Sequence, residues 1–422
     1  MLFSTSEQNA VAGRPRKGTT SPDTDAAYTT EVYEATAEID AAAWGELCGE
    51  DVYMDIRLLR AVERSMHADT KFRYVLFRNA DGTAAACACL CTYSVDGSVL
   101  VSDGIAGRTV AALKQIAATL TTYKVVFCGL PFSGGQSHLR FDSAANYVSI
   151  LKSLDEIMLQ IAQKDGAKCI VLKEFQDCEL PVFDNIASLG YLHADSLPMN
   201  QVDVRHPNFD AFLSSLPNRR RRKIGKSLKK FKDGGLRFEW VTDAAEVDRI
   251  YTDEVHQMYT EMVSRSDTKL ELLPRKFFPA MVRELQGECK LCVAKEGDNI
   301  LAFVLCLVTE EELSPLFAGY NYARNREFDL YFNLMYVAVG EAMASGKKII
   351  KLGQNADYCK NVKFGGYQTG RSFYIKGVGF VMSSLIRLLS RQLFPARPLT
   401  VFPSAEVVTV STTRHSPMPE DA

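Results

Sequence analysis

Gly353, Gln354, Asn355 and Tyr358 follow the short apolar run IIKL at residues 349–352. A run of that length with polar flanks predicts a buried strand. Groups just past the carboxyl end of such a strand face the crevice where open α/β sheets gather ligands. Amides orient a carbonyl or an anion, and a phenol donates a proton. Tyr358, six residues beyond the strand in what reads as a polar loop, is the candidate catalytic residue, a general acid worth ~10²-fold or more in rate. A half-buried tyrosine packed on the sheet edge is the competing reading. Lys360 and Lys363 follow and suit a phosphate or carboxylate, against the ordinary reading of solvated lysines.

Three elements must position these groups. Residues 316–320 form a short apolar strand. Asp329 caps a helix reaching Ala344, with Leu330, Leu334, Val337 and Met343 on its apolar positions. Gly346 stops that helix, and residues 347–352 return as the buried strand.

The first half of the chain carries the same order. Residues 71–78 and 84–93 flank the turn Asp81-Gly82, as 290–294 and 300–309 flank Gly297-Asp298. Strand 123–128 answers 316–320. Helix 144–164, Gly166 and strand 168–172 answer the later helix, glycine and strand, and both halves finish on Gly-Tyr, at Gly190-Tyr191 and Gly366-Tyr367. An internal duplication explains this order. It predicts an α/β (α+β) chain with two mixed, twisted sheets flanked by helices. Aligned on their closing Gly-Tyr pairs, the halves set Tyr358 against Val182, so only the second keeps the hydroxyl. Residues 41–66 carry partial helical periodicity, interrupted near Gly45 and Gly49, and residues 109–120 read as a helix.

Between the halves, residues 209–232 read as one amphipathic helix with Leu213, Leu216, Ile224, Leu228 and Phe231 on its apolar side. Arg219, Arg220, Arg221, Arg222, Lys223 and Lys226 open its basic part, and Lys229, Lys230 and Lys232 complete nine basic residues in fourteen positions. The formal net charge is only -2, so the remaining chain holds 40 basic against 51 acidic residues and the positive charge is concentrated. Such a run is a solvated face by default. Nine uncompensated charges repel one another, which favours an anionic partner: a substrate, a transfer RNA or an anionic membrane surface, the last at ~1 kcal/mol per basic residue.

Other chemistries fit less well. His256 and Glu261 share a predicted helix at 248–262 and suit amine deprotonation, although a lone helical histidine is more often structural. Cys289-x-x-Cys292 has no second pair or histidine at ligand spacing, so no metal is expected. The glycines from Gly129 to Gly135 lack the Gly-Lys-Ser/Thr of a nucleotide loop. No Gly-x-Ser-x-Gly elbow is present. The eleven cysteines have no disulfide-type spacing, and Cys87, Cys89 and Cys91 share one strand face. Buried thiols in a reducing cytoplasm, no secretory signal and no apolar run of membrane-spanning length predict a cytoplasmic protein. Residues 380–394 are apolar with Arg387 and Arg391 between, suiting packing on the sheet or peripheral contact with the inner face of the membrane.

With these pieces assembled, the chain resembles the GNAT superfamily and, more narrowly, the FemAB-like proteins with two GNAT domains in tandem. The likeness spans roughly residues 31–376. It rests on SLPNRRRRKIGKSLKKFKDGGL, on GYNYARN before a long helix, and on GQNADYCKNVKFGG, where Tyr358 falls one residue late. The resemblance implies a first GNAT-like domain at 31–205 without catalytic function and a catalytic second one at 206–395, between an arm at 1–30 and a tail at 396–422 read as disordered. It implies that strands 316–320 and 347–352 part to admit a donor's pantetheine arm. Tyr320, Asn321, Arg324, Arg326, Gln354 and Asn355 are then donor-binding candidates, Tyr320 against the commoner reading of a core tyrosine, with the donor's phosphates at the helix N-terminus near Asp329. Arg219, Arg220, Arg221, Arg222, Lys223, Lys226, Lys360 and Lys363 become acceptor- or anion-binding candidates. The usual Gln/Arg-Gly-Gly phosphate loop of small GNAT enzymes is missing.

The expected activity is N-acyl transfer to an amine from an acyl-coenzyme A or acyl-carrier-protein thioester, a co-substrate rather than a tightly bound cofactor. An aminoacyl-transfer-RNA-dependent transferase acting on a cell-wall precursor is the alternative. A degenerate pair that only binds nucleic acid or anionic membrane is the third reading.

Overall fold

Alternating side chains at 71–96 and 289–308 place apolar groups on both strand faces, so both hairpins are buried within sheets. The computed structural model describes residues 28–66, 70–96, 122–265, 272–355 and 357–400. The helix expected at 109–120 lies outside them, as do the arm through residue 27 and the tail beyond residue 400. In chain order the strands are β1 (Thr29–Tyr33), β2 (Lys71–Arg78), β3 (Ala84–Asp96), β4 (Thr122–Cys128), β5 (Leu139–Phe141), β6 (Cys169–Phe175), β7 (Leu192–Asp195) and β8 (Met199–Asp203). The second half adds β9 (Leu236–Val241), β10 (Cys289–Glu296), β11 (Asn299–Val308), β12 (Glu312–Tyr320), β13 (Ile349–Gly353), β14 (Tyr367–Thr369) and β15 (Ser372–Gly377).

They form two sheets. The first runs β1-β2-β3-β4-β6-β15-β7, with β5 also on β3; the second runs β9-β10-β11-β12-β13-β8-β14. In each, an antiparallel meander leads to one parallel pair, β4 with β6 and β12 with β13. The helices Tyr147–Asp165 and Leu330–Ala344 make the crossovers. Gly166 and Gly346 end these helices in the left-handed conformation, at φ 75° and 65°, which glycine adopts without steric cost. The duplicated order is therefore real at the level of topology.

Each sheet also borrows its sixth strand. β8 follows the first half but pairs with β13, and β15 follows the second half but lies between β6 and β7. This reciprocal exchange crosses the boundary expected at 205/206 and ties the halves together. A continuous core between them draws on the helices Ile56–Met66 and Phe277–Leu285 and on one face of each sheet. Arg57 spans the join, donating to Glu288 at 2.6 Å. Cys87, Cys89 and Cys91 share that central core while Ala86, Ala88 and Leu90 face the outer one. Cys289 and Cys292 point into cores on opposite faces of β10 and so do not converge on one ion.

Three local expectations are corrected. The basic segment is two helices, Phe209–Ser215 and Asn218–Asp233, because Pro217 lacks an N–H and holds Leu216 extended at φ -77°, ψ 147°. Asp329 does not cap the long helix through its side chain. It sits at φ 51° between the helices Tyr322–Phe328 and Leu330–Ala344, and its carboxylate takes the Lys230 ammonium at 3.1 Å. Residues 357–364, expected as a loop, form the helix Asp357–Phe364, with Asp357 favourable in its first turn. At the carboxyl end, the helix Phe380–Leu393 packs through Ile386 but leaves Phe380, Val381, Leu385 and Leu388 exposed. No helix among the described residues is long and apolar enough to cross a membrane.

Candidate active site

β12 and β13 part soon after they meet. Their ladder holds only Glu312↔Ile349 and Leu313↔Ile350. Both strands bulge just beyond. Leu316 is the extra residue of β12 against Leu305 and Cys306 of β11, and Leu352 is the extra residue of β13 against β8. A bulge bends its strand and raises its local twist, so paired bulges at one level drive neighbouring strands apart. Beyond Leu313, the edge of β12 facing β13 has no strand partner.

A cavity of about 460 Å³ fills the gap. β12 contributes Ser314 to Ala318 and Tyr320, while β13 and its sequel contribute Lys351 to Asn355. Tyr259, Met262 and Val263 come from the helix Asp253–Ser264, Tyr331 and Met335 from the long helix, and Tyr53 and Phe132 from the first half. Phe317 forms part of an aromatic floor, edge-on to Phe132 and Phe277, each at 5.5 Å between centroids. Such pairs add roughly 0.5–1.5 kcal/mol beyond buried area. Among the described lining residues are no histidine and no cysteine. The walls therefore suit an apolar chain ending in a polar carbonyl.

The loop after β13 forms the polar end. Asn200 of β8 is fully buried and clamps it, donating to the Gly353 carbonyl at 2.9 Å and the Asp357 carboxylate at 2.8 Å. Its oxygen accepts from Asn361 at 2.5 Å. Lys360 is buried and donates to the Gln354 carbonyl at 2.7 Å, so it fixes the loop rather than extending into solvent. Gln354 donates to the Leu197 carbonyl at 2.9 Å. Lys351 is buried against Glu312 at 2.5 Å. Burial and the neighbouring Tyr322 hydroxyl push the Tyr320 phenol well up, and burial does the same to Tyr53, so both stay protonated at neutral pH.

Of the expected donor-binding residues, Tyr320, Gln354 and Asn355 line the cavity, and Lys360 joins them. Asn321 instead caps the helix Tyr322–Phe328, accepting from Arg324 N–H at 3.2 Å. Arg324 is held by Glu296 and Glu327, and Arg326 lies exposed with its carbonyl on Lys230. Lys363 sits over the Phe332 ring at 3.0 Å. The anion site expected at Asp329 is closed off: the preceding helix abuts it, and the Asn325 side chain takes the Tyr331 N–H at 3.1 Å. Arg219, Arg220, Arg221, Arg222, Lys223 and Lys226 lie on a separate helix and do not line the cavity. His256 packs against Tyr251 and Phe278, away from the lining, with its imidazole held low by burial; Glu261 pairs with Arg265. Tyr358 stands in the first turn of the helix Asp357–Phe364, and its side chain lies outside the described residues.

The same place in the first half is filled. β4 and β6 stay paired through Cys128↔Leu172. The Lys173 side chain then lies across Gly129, and its ammonium donates to the Phe132 carbonyl at 2.8 Å.

Residues missed in the sequence include Asn200, Asn361, Tyr53 and the bulged Leu316 and Leu352. The adjacent amides Asn200 and Gln201 inside the short strand MNQVD were the one available sign. Replacing Asn200 by Ala strands several buried partners, at about 1–3 kcal/mol for each group left unpaired. Asn200→Ala is expected to lower the urea midpoint by the equivalent of about 3 kcal/mol. An unchanged midpoint would show the loop to be held by other contacts.

A family model described as peptidoglycan biosynthesis/recognition matches residues 35–375. Among solved structures, FemX is similar over 85% of this chain and 99% of its own, at 13% identity and TM-score 0.50. The C-terminal domain of a putative lysylphosphatidylglycerol synthetase from Agrobacterium fabrum is similar over 85% and 98%, at 14% identity and TM-score 0.48. A tandem GNAT protein from the clavulanic acid pathway is similar over 83% and 99%, at 12% identity and TM-score 0.48. No curated protein sequence matches the chain. With the family match running from before the first sheet's hairpin into its last borrowed strand, the chain belongs to the FemAB-like family and has the tandem GNAT architecture.

Proposed function

We propose that the protein is an acyltransferase that holds an activated acyl donor between β12 and β13 and passes its acyl group to an amine. The observation that carries this reading is the parting of these strands after Leu313↔Ile350 around an apolar cavity with a polar end. A donor carbonyl lodged there meets backbone N–H groups of β12 that have no ladder partner. Each such donor is worth ~3 kcal/mol to a developing oxyanion.

The lead donor is a thioester of coenzyme A or of a carrier protein. The amine nitrogen attacks the carbonyl, the C–N bond forms and the C–S bond breaks. The attacking amine is neutral and gives up one N–H proton, which leaves on the thiol, while the amide keeps the other. The leaving thiol has an ordinary pKa near 8.5, so modest acid assistance from Tyr358 suffices. The filled gap at Lys173 supports the first half as a non-catalytic partner.

The second reading, an aminoacyl-transfer-RNA donor, is favoured by the basic helix. Arg219, Arg222, Lys223, Lys226 and Lys232 are exposed there and close no ion pair among the described residues, whereas Lys229 and Lys230 are paired. The exposed row Phe380, Val381, Leu385 and Leu388 supports peripheral contact with the cytoplasmic membrane face. The test offers acyl-coenzyme A thioesters and aminoacyl-transfer RNA separately with a panel of amines, reading thiol release and amide mass. Thiol release with amide formation supports the thioester reading. Amide formation only from the RNA, with affinity falling steeply as salt rises, supports the second. No amide from either donor contradicts both.

A further inference from the structure

A second space adjoins the donor cavity and is chemically its opposite. It measures about 640 Å³ and lies between the halves. Residues 49–53, Asp55 and Gln136 wall it on one side, and Glu288 with residues 308–312 on the other. Seven carboxylates line it: Glu50, Asp51, Asp55, Glu288, Glu310, Glu311 and Glu312. The lining cations are Arg57, held by Asp55 and Glu288, and Lys351, held by Glu312. Arg140 behind Asp51 and Lys348 on Glu311 bring the cations to four, which leaves three carboxylates in excess. Glu50 and Glu310 close no ion pair among the described residues. Carboxylates gathered on facing walls repel one another and raise the local concentration of cations.

An independent observation ties this acidity to the chemistry next door. Tyr53 is 3% exposed and its hydroxyl lies beside Ser314 without closing a hydrogen bond of good geometry, a costly state for a buried polar group. Tyr53 and Lys351 are the residues shared by the linings of both spaces. The Tyr53 hydroxyl neighbours Ser314 of the donor cavity, the Tyr53 backbone N–H donates to Asp51 of the acidic cleft, and the charges of Glu312, Glu174 and Asp51 act on the phenol. A polar group passing from the cleft to the donor carbonyl would run by that weakly engaged hydroxyl.

Resting on the donor reading above, we infer that the acyl acceptor is an amine carrying two or more cationic centres, admitted through this cleft. One amine reaches the donor carbonyl past Tyr53 and Lys351 while the remaining ammonium groups stay among the carboxylates. The basic helix is not part of the cleft lining, so an anionic partner and a cationic one would bind on different surfaces.

Titration calorimetry of the full chain with spermidine, without any donor, tests the inference. Spermidine is expected to bind in a salt-sensitive manner and far more tightly than the monoamine butylamine. The double variant Glu50→Gln/Glu310→Gln, changed only at carboxylates without an ion pair, is expected to weaken spermidine about tenfold or more. No spermidine binding, equal binding of butylamine, or undiminished binding in a folded double variant would overturn it. Because the readout needs no donor, it separates from the cavity reading. Spermidine binding retained when Ala318→Trp blocks the donor cavity places the two ligands in different spaces, and its loss there would contradict the cleft assignment.

Discussion

Tyr358→Phe is expected to lower kcat about 10²-fold while the donor's Kd stays within about twofold of wild type. The reasoning starts from the leaving group. A thiol needs little protonation to depart, so the loss is confined to the modest factor that a positioned acid supplies. Tyr358 occupies the first turn of the helix Asp357–Phe364, where Asn361 and Lys360 of the same helix pin the loop lining the cavity. That backbone anchoring gives the first turn a fixed address beside the parted strands, which a proton donor requires. Pre-steady-state turnover with equilibrium donor binding separates the outcomes. A rise in Kd with unchanged kcat would make Tyr358 a binding residue, and no change in either would move the proton transfer elsewhere.

Much of this site was legible because it is built from local signals. The turns at Asp81-Gly82 and Gly297-Asp298, the helix stops at Gly166 and Gly346, and the run IIKL each reflect a constraint within a few residues. Gln354 and Asn355 reach the cavity because they directly follow β13, whereas Tyr320, at the end of β12, reads by type as an ordinary core tyrosine although it lines the cavity. What failed was non-local. Asn200 meets partners more than 150 residues away, and nothing around it distinguishes a clamp from a surface amide. The exchange of β8 and β15 between sheets depends on which edge is open once both halves have folded. Tyr53 reaches the cavity only through the packing of one half on the other. Asp329 shows a different failure. It is a strong capping residue by type, but Asn321 caps the preceding helix and leaves Asp329 as a left-handed link to the next. Pro217, by contrast, announced a break that the apolar stripe around it obscured.

The second large effect concerns the space itself. Ala318 is buried on β12 and lines the cavity, so a larger side chain there projects where a donor would lie. Overpacking typically costs about 1–3 kcal/mol, which a chain of this size withstands, and near-ultraviolet circular dichroism checks that the fold survives. Ala318→Trp is expected to reduce donor affinity more than about 100-fold, because the ligand and the indole compete for one volume. Donor binding to the wild-type protein and to folded Ala318→Trp, with whichever acyl donor the enzyme consumes, therefore tests the parted strands most directly. Tight binding to the wild type and none to the variant is the predicted result; equal binding to both would mean that the donor lies somewhere other than between β12 and β13.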